Sequence, residues 1–353
     1  MLKQLAATWI VLLGGYAASA PAANQAPSEP VPRSQTHLTN IRNADPSVIG
    51  DGSTYFSVES DGKNIYVRAA LSTSALNNAA RVKIWGSKPN VWAPEIVKVG
   101  DTFYVYFAAG NLTDQRMYYV SSSDPTSGYS TAAPMNLPDN RWAIDGVPFQ
   151  FNNEWWFVWS GWAGNTNVEQ NLYIARMSDP TTVTGARYII SQPRERWERS
   201  VGNPYVNEGP QPIKDPNGQL HIVYSANGSW STDYCLGDLR LLSGGDPTNV
   251  RDWYKSSGCL FGAKKGLMMK GLDAALNAKG VGHHSFVLLN GDISTSPPSR
   301  AASPFMYHGV PNNLQMSWSN RYWFAGTFTW WENSTYCRSG NDCNTGWSLE
   351  FFE

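Results

Sequence analysis

The sequence predicts an all-β fold, a five-bladed β-propeller, on three observations. No long stretch carries the period of an amphipathic helix. Short aromatic and β-branched runs recur instead, separated by Asp-Gly, Asn-Asn, Asn-Gly and Gly-Asp turns. These runs come in hairpin pairs at intervals of roughly fifty residues, the period of a propeller blade of about four strands.

Residues 1–20 read as a cleavable targeting segment. Lys3 gives the positive start, Leu5 to Tyr16 the apolar core and Ala18–Ser19–Ala20 a small-residue cleavage site. The apolar run is shorter than the ~20 residues of a membrane span. Residues 21–36, rich in Pro, Ala and Ser without periodicity, read as a flexible leader. The propeller is then expected over residues 37–353.

The principal runs are Ser53–Ser57, Thr102–Phe107, Trp155–Trp159, Leu220–Ser225 and Pro304–His308. Their centres, Tyr55, Tyr104, Phe157, Ile222 and Met306, lie 49, 53, 65 and 84 residues apart. The widening implies insertions, one of them around Cys235–Cys259. Second runs follow at Ile65–Ala69, Met117–Ser121, Leu172–Met177 and Leu239–Leu242. Three of these end in Asp-Pro, at Asp124, Asp179 and Asp246. A sandwich or jelly roll could use short strands, but would leave this hairpin-plus-Asp-Pro unit unexplained.

Trp (16), Tyr (17) and Phe (13) are abundant, and only 16% of residues are charged. With a formal net charge of −1, this argues against a disordered chain or a nucleic-acid binder. A monomer with no membrane partner is expected. Four cysteines suit an oxidising compartment. Sequence order suggests Cys235–Cys259 and Cys337–Cys343, although four cysteines allow three pairings. Asn111, Asn227 and Asn333 open glycosylation sequons usable on a secretory route.

Acidic residues recur beside breakers, each ahead of an aromatic strand: Asp45 before Pro46, Glu95 after Pro94, Asp145 before Gly146, and Glu208 before Gly209–Pro210. In a propeller the innermost strands line one channel, so acids from separate blades can meet at its mouth. Asp45 and Asp145 also read as turn-formers, as Asp124, Asp179 and Asp246 do. For Glu208 that reading is weaker, because Glu has little turn preference.

Five motifs stand in order: Asp45–Pro46, Trp92–Ala93–Pro94–Glu95, Ile144–Asp145–Gly146, Glu208–Gly209–Pro210 and Gly282–His283–His284–Ser285. In these the chain resembles glycoside hydrolase family 43, over residues from about 38 to 308. The resemblance implies a secreted, inverting glycosidase. Asp45 is its general base, Glu208 its general acid, and Asp145 raises the pKa of Glu208 and holds it in place. Inversion needs two carboxyls about 6.5–9.5 Å apart with water between them. A third carboxylate keeps the acid protonated by like-charge repulsion.

The same resemblance places His283 in the channel, where several members bind calcium through water. A hydrogen-bonded core histidine is the equal alternative, because water-mediated ligation leaves no spacing signature. No cofactor is required for the reaction. His284 is expected to pack or cap a turn. Trp92 is expected to offer an aromatic platform to a sugar ring. Trp155, Trp156 and Trp159 share one strand, so alternation sends at least one to another face. Family members carry an arginine after the last Tyr-His. Tyr307–His308 is present and Arg321 is its match, in a C-terminal part (321–353) whose two cysteines and dense aromatics depart from the pattern.

The family includes arabinofuranosidases, exo- and endo-arabinanases and β-xylosidases. A single-domain secreted form resembles the arabinan-active branch, so an exo-acting α-L-arabinofuranosidase on arabinan or arabinose-decorated polymers such as arabinoxylan is expected. A non-catalytic carbohydrate-binding propeller would keep the aromatics and could lose an acid. A retaining fructoside hydrolase would typically carry Glu-Cys in place of Glu-Gly-Pro.

Overall fold

A computed structural model describes residues 37–275, 277–293, 302–332 and 347–353. The targeting segment, the leader, Asn333, Cys337 and Cys343 lie outside the described residues. The described chain is almost entirely strand, with only short 3-10 turns between strands. Four of the five sequence runs fall within a strand, and Ser53–Ser57 does so from Thr54 on.

The strands follow one another as antiparallel meanders. The first runs Ser47–Asp51, Thr54–Ser60 and Gly62–Ala70, then pairs with the start of the long strand Val82–Val99. The end of that strand opens the second, with Thr102–Asn111, Asp114–Ser122 and Ala133–Pro134. The third is Ala143–Phe151, Glu154–Trp162, Glu169–Asp179 and Thr182–Ser191. The fourth is Tyr205–Lys214, Leu220–Ala226, Cys235–Leu241 and Trp253–Lys255. A further meander joins Ala278–Phe286, Ser303–Pro311 and Tyr322–Glu332.

Closure of this last meander comes from both ends of the described chain. Trp347–Phe352 pairs with Thr327 to Glu332, while His37–Leu38 pairs with Ala325 and Phe324 of the same strand. The edge of Tyr322–Glu332 is thereby covered along most of its length, which protects it from pairing with another chain.

The opening strands of all five meanders meet. Ser47 Oγ accepts from Ile96 N (3.0 Å), and Ser285 Oγ accepts from Val48 N (2.9 Å). Gly209 N donates to Asp145 Oδ2 (2.9 Å). Val48, Ile96, Pro148, Gln211 and Ser285, one from each opening strand, line one narrow cavity of about 30 Å³.

Aromatic rings pack closely along and between the sheets. Trp142 stacks on Trp162 with centroids 4.6 Å apart and planes 7° apart. Tyr307 contacts Phe305, Phe324 and Phe261 within 5.4 Å. Such pairs contribute about 0.5–1.5 kcal/mol each beyond burial. Trp156 and Trp159 are both buried, on opposite faces of their strand: Trp156 meets Arg176 (4.5 Å) and Trp159 stacks on Tyr173 (5.7 Å).

The Asp-Pro punctuation has a local cause. Asp124, Asp179 and Asp246 each accept from the backbone N and Oγ1 of the threonine two residues on, at 2.7–2.9 Å. The repeated unit is therefore Asp-Pro-Thr, an Asx turn closing a hairpin. Its acids face solvent, away from chemistry.

Candidate active site

The site is built at irregularities in the opening strands. Asp45 (φ 52°), Ala93 (φ 40°), Asp145 (φ 57°), Gly209 (φ 56°) and His283 (φ 42°) all adopt left-handed backbone. Pairing registers slip beside four of them, across Trp92/Glu95, opposite Asp145, across Glu208/Gln211 and at Gly282/His284. Such bulges re-aim side chains at sheet ends, and left-handed non-glycine residues cost of order 1–3 kcal/mol each. Gly209 is glycine for two reasons: its φ, and a Cβ there would stand 3.1 Å from His283 Nδ1. At Gly282 a Cβ would meet the Tyr234 ring at 2.3 Å.

His283 is the hub. Its Nδ1 lies 3.3 Å from Asp45 Oδ1 and 3.9 Å from Asp145 Oδ2, and its Nε2 lies 3.5 Å from Glu95 Oε1. Its own N–H donates to Ser225 Oγ (2.8 Å). Burial works against its charge, but Asp45, Asp145 and Glu95 outweigh burial and push its pKa up to about 10. The ring is an imidazolium set among three carboxylates. Glu95 is held in turn by Gln211 Nε2 (3.0 Å).

Asp45 lies at the mouth with its side chain 22% exposed. Burial would raise its pKa, but His283, His308 and Arg321 hold it well below the usual carboxylate range. His308 Nδ1 stands 3.1 Å from both Oδ1 and the amide N of Asp45. Burial keeps His308 neutral, lowering its pKa to about 4, so the ring carries one proton. The amide N–H of Asp45 donates to Nδ1. Arg321 Nη1 lies 3.9 Å from Asp45 Oδ1.

Glu208 has the opposite protonation. Burial and the nearby Asp145 push its pKa up to about 8, against a hydrogen bond from Tyr234 Oη (2.9 Å) that favours its charged form. Asp145, fully buried, is itself raised to about 6 by burial, with the backbone N of Gly209 donating to it. At neutral pH one carboxyl of the pair carries a proton and the other does not.

Asp45 lines a cavity of about 500 Å³ with Asn43, Asp61, Trp92, Trp318 and Arg321. Trp92 is half-buried there. His284, adjacent to the hub, points away into the core against Phe286 (4.7 Å) and Phe351 (6.0 Å), and burial keeps it neutral. Among the described residues no group of three or more His, Cys, Asp or Glu side chains is arranged to hold a metal ion directly. His283 Nε2 faces one carboxylate, Glu95, and in its protonated form the ring has no lone pair to offer a cation.

Two residues of the site escaped the sequence reading. Tyr234, which bonds the acid, has no motif around it beyond the neighbouring Cys235. His308 was visible as half of Tyr307–His308, but without its contact to Asp45. Cys235 and Cys259 are bonded (S–S 2.09 Å), tethering the strand that follows Tyr234. Of the sequon asparagines, Asn227 is buried in the folded chain, with its side chain already bonded. It is 1% exposed, its Nδ2 donates to Trp197 O and Asp233 O, and its Oδ1 accepts from Ser200. Three letters make a sequon, but burial decides whether it is reachable. Asn111 lies exposed at a strand end.

An all-β frame that sets an ionised carboxyl within electrostatic reach of a protonated one has the pair a glycoside hydrolase uses. The profile of Glycosyl hydrolases family 43 matches residues 37–294, and the chain belongs to that family. An extracellular exo-α-(1→5)-L-arabinofuranosidase of Streptomyces avermitilis is 31% identical over 283 residues, 76% of this chain and 56% of the relative. A protein of the same description from Streptomyces chartreusis is 28% identical, covering 72% of this chain and 82% of the relative. This chain thus spans little more than half the length of the first relative. Among solved structures, an α-L-arabinofuranosidase from Lactobacillus brevis shares the fold with a TM-score of 0.70 at 23% identity, over 83% of this chain and 92% of the other.

Proposed function

We propose that this glycosidase is a secreted, inverting exo-α-L-arabinofuranosidase acting on arabinan or arabinose-decorated polysaccharides, on a five-bladed propeller. The observation that carries it is the opposed protonation of Asp45 and Glu208, two carboxyls whose charges act on each other and on His283. Asp45 takes a proton from water as that water's oxygen attacks the anomeric carbon. Glu208 gives its proton to the leaving oxygen on the other side. Asp145 keeps Glu208 protonated through charge repulsion, and Arg321 with imidazolium His283 keeps Asp45 ionised. Trp92 is placed to receive the apolar face of the sugar.

The sugar assignment leans on the two Streptomyces relatives, both described as exo-acting on α-(1→5)-linked arabinofuranose and as extracellular. The meanders whose opening strands share one cavity support the five-bladed reading. No step needs a cofactor. Glu95 and a deprotonated His283 are the residues that would hold a calcium ion through water, and that ion would supply the positive charge the imidazolium otherwise supplies. The reading is tested by incubating the protein with linear α-1,5-arabino-oligosaccharides and with aryl α-L-arabinofuranosides and β-D-xylosides. Release of arabinose alone, one unit at a time, is expected. Internal cleavage products would make it an endo-arabinanase, and preference for the xyloside a β-xylosidase.

A further inference from the structure

Two large aromatic side chains stand in solvent beside the catalytic cavity. Trp230 is 41% exposed and Trp318 60% exposed, and their rings meet edge to face with centroids 6.4 Å apart and planes at 86°. They come from different meanders. Trp230 lies in the loop between Leu220–Ala226 and Cys235–Leu241, four residues before Tyr234, which bonds Glu208. Trp318 lies between Ser303–Pro311 and Tyr322–Glu332, and lines the cavity that holds Asp45, Trp92 and Arg321.

The loops are brought together by design of the backbone. Gly280 lies between them: a Cβ on it would stand 2.7 Å from Ser231 O and 2.5 Å from the Met316 methyl. Gly228 lets Trp230 fold back over its own turn, since a Cβ there would meet the indole at 2.3 Å. Exposing two indoles in contact wastes apolar burial unless something covers them.

We propose that Trp230 and Trp318 form the platform for the part of the polysaccharide that leaves, at the rim of the cavity that Trp318 lines. The occupant is a pentose ring of the chain beyond the scissile bond, its C–H face laid on an indole. This rests on the arabinofuranosidase reading and assigns that enzyme its selectivity for the polymer side of the bond. Continuity argues for it: Trp318 belongs to the cavity wall, and Trp230 touches Trp318 from the loop that leads into Tyr234, which bonds Glu208. The right-angled rings suit a chain that turns as it leaves the pocket, each indole offering a face to a different sugar.

The test uses Trp230→Ala, Trp230→Phe and Trp318→Ala in the full chain, with an α-1,5-linked arabino-oligosaccharide of five units and a p-nitrophenyl α-L-arabinofuranoside. Each alanine variant is expected to raise KM for the oligosaccharide by about three- to tenfold more than for the aryl substrate, the range of an aromatic contact. Trp230→Phe should recover most of the loss, because a ring face remains. Binding of the pentasaccharide to Glu208→Gln, measured by calorimetry, should weaken by the same factor when Trp230→Ala is added. Equal losses on both substrates, or unchanged pentasaccharide binding, would overturn the platform while leaving the enzyme's activity intact. Absence of any arabinofuranoside cleavage by the parent protein would overturn the activity reading and the platform together.

Discussion

Tyr234 and His308 stack with ring centroids 5.5 Å apart and planes 9° apart. One bonds Glu208 and the other Asp45, so these two carboxyls are spaced by a single ring contact. His283 continues the stack at 6.0 Å from His308. Asp45 and Glu208 come from meanders far apart in the chain, and this column of three rings holds them in register.

Tyr234→Phe separates the column from the hydrogen bond. The ring stays, so the stack with His308 stays. The hydroxyl that favours ionised Glu208 goes, so the pKa of Glu208 rises further and the alkaline limb of the kcat/KM profile moves to higher pH. Loss of orientation should cost up to about tenfold in kcat, in line with one hydrogen bond between neutral groups. Initial rates across pH 5–10 measure both effects. A limb displaced toward acid would contradict the direction of this contact.

Asp145→Asn acts in the opposite sense. Asp145 is the nearest negative charge raising Glu208, and asparagine can still accept from Gly209 N. The acid works only while protonated, so activity falls as pH rises through its pKa, near 8 in the parent. Removing the like charge lowers that pKa, and the alkaline limb should move toward acid. An unmoved limb in a folded variant would show that burial alone sets the proton on Glu208.

The motifs were legible because each pairs an acid with a breaker. Pro46, Pro94, Gly146 and Gly209 mark where a strand bends to aim its acid. What the sequence hid was long-range. Tyr234 reaches Glu208 only through the hairpin register that sets Ala226 opposite Cys235, and no local pattern announces that. Closure of the last meander by His37–Leu38 joins residues almost 290 positions apart. Burial of Asn227 follows from the loop around Trp197 and Asp233, which a three-residue sequon does not encode.

The disulfide supports the site as well as the fold. Cys235 follows Tyr234 directly, and the bridge closes a loop with a sequence separation of 24. Constraint of the unfolded chain by a loop of that length is worth about 3 kcal/mol. Cys235→Ser with Cys259→Ser should therefore lower the denaturation midpoint and reduce kcat through Tyr234, with a steeper loss near the melting temperature. Unchanged thermal unfolding, followed by circular dichroism with and without reductant, would show that neighbouring strands alone fix this segment.

The sharpest expectation concerns stereochemistry. If water activated by Asp45 attacks the anomeric carbon directly, the first sugar released must have inverted configuration. Proton NMR in the first minutes of turnover, before mutarotation, identifies that anomer. Glu208→Ala removes protonation of the leaving oxygen, worth about 10²–10⁴-fold. It should hurt arabino-oligosaccharides more than an aryl glycoside, whose leaving group needs less help. Asp45→Ala removes activation of water and should hurt both alike. A retained anomer would require a covalent intermediate, with a carboxylate attacking the sugar. Asp45 is then a nucleophile, and its pairing with His283, His308 and Arg321 serves to keep it ionised for bond formation rather than to receive a proton.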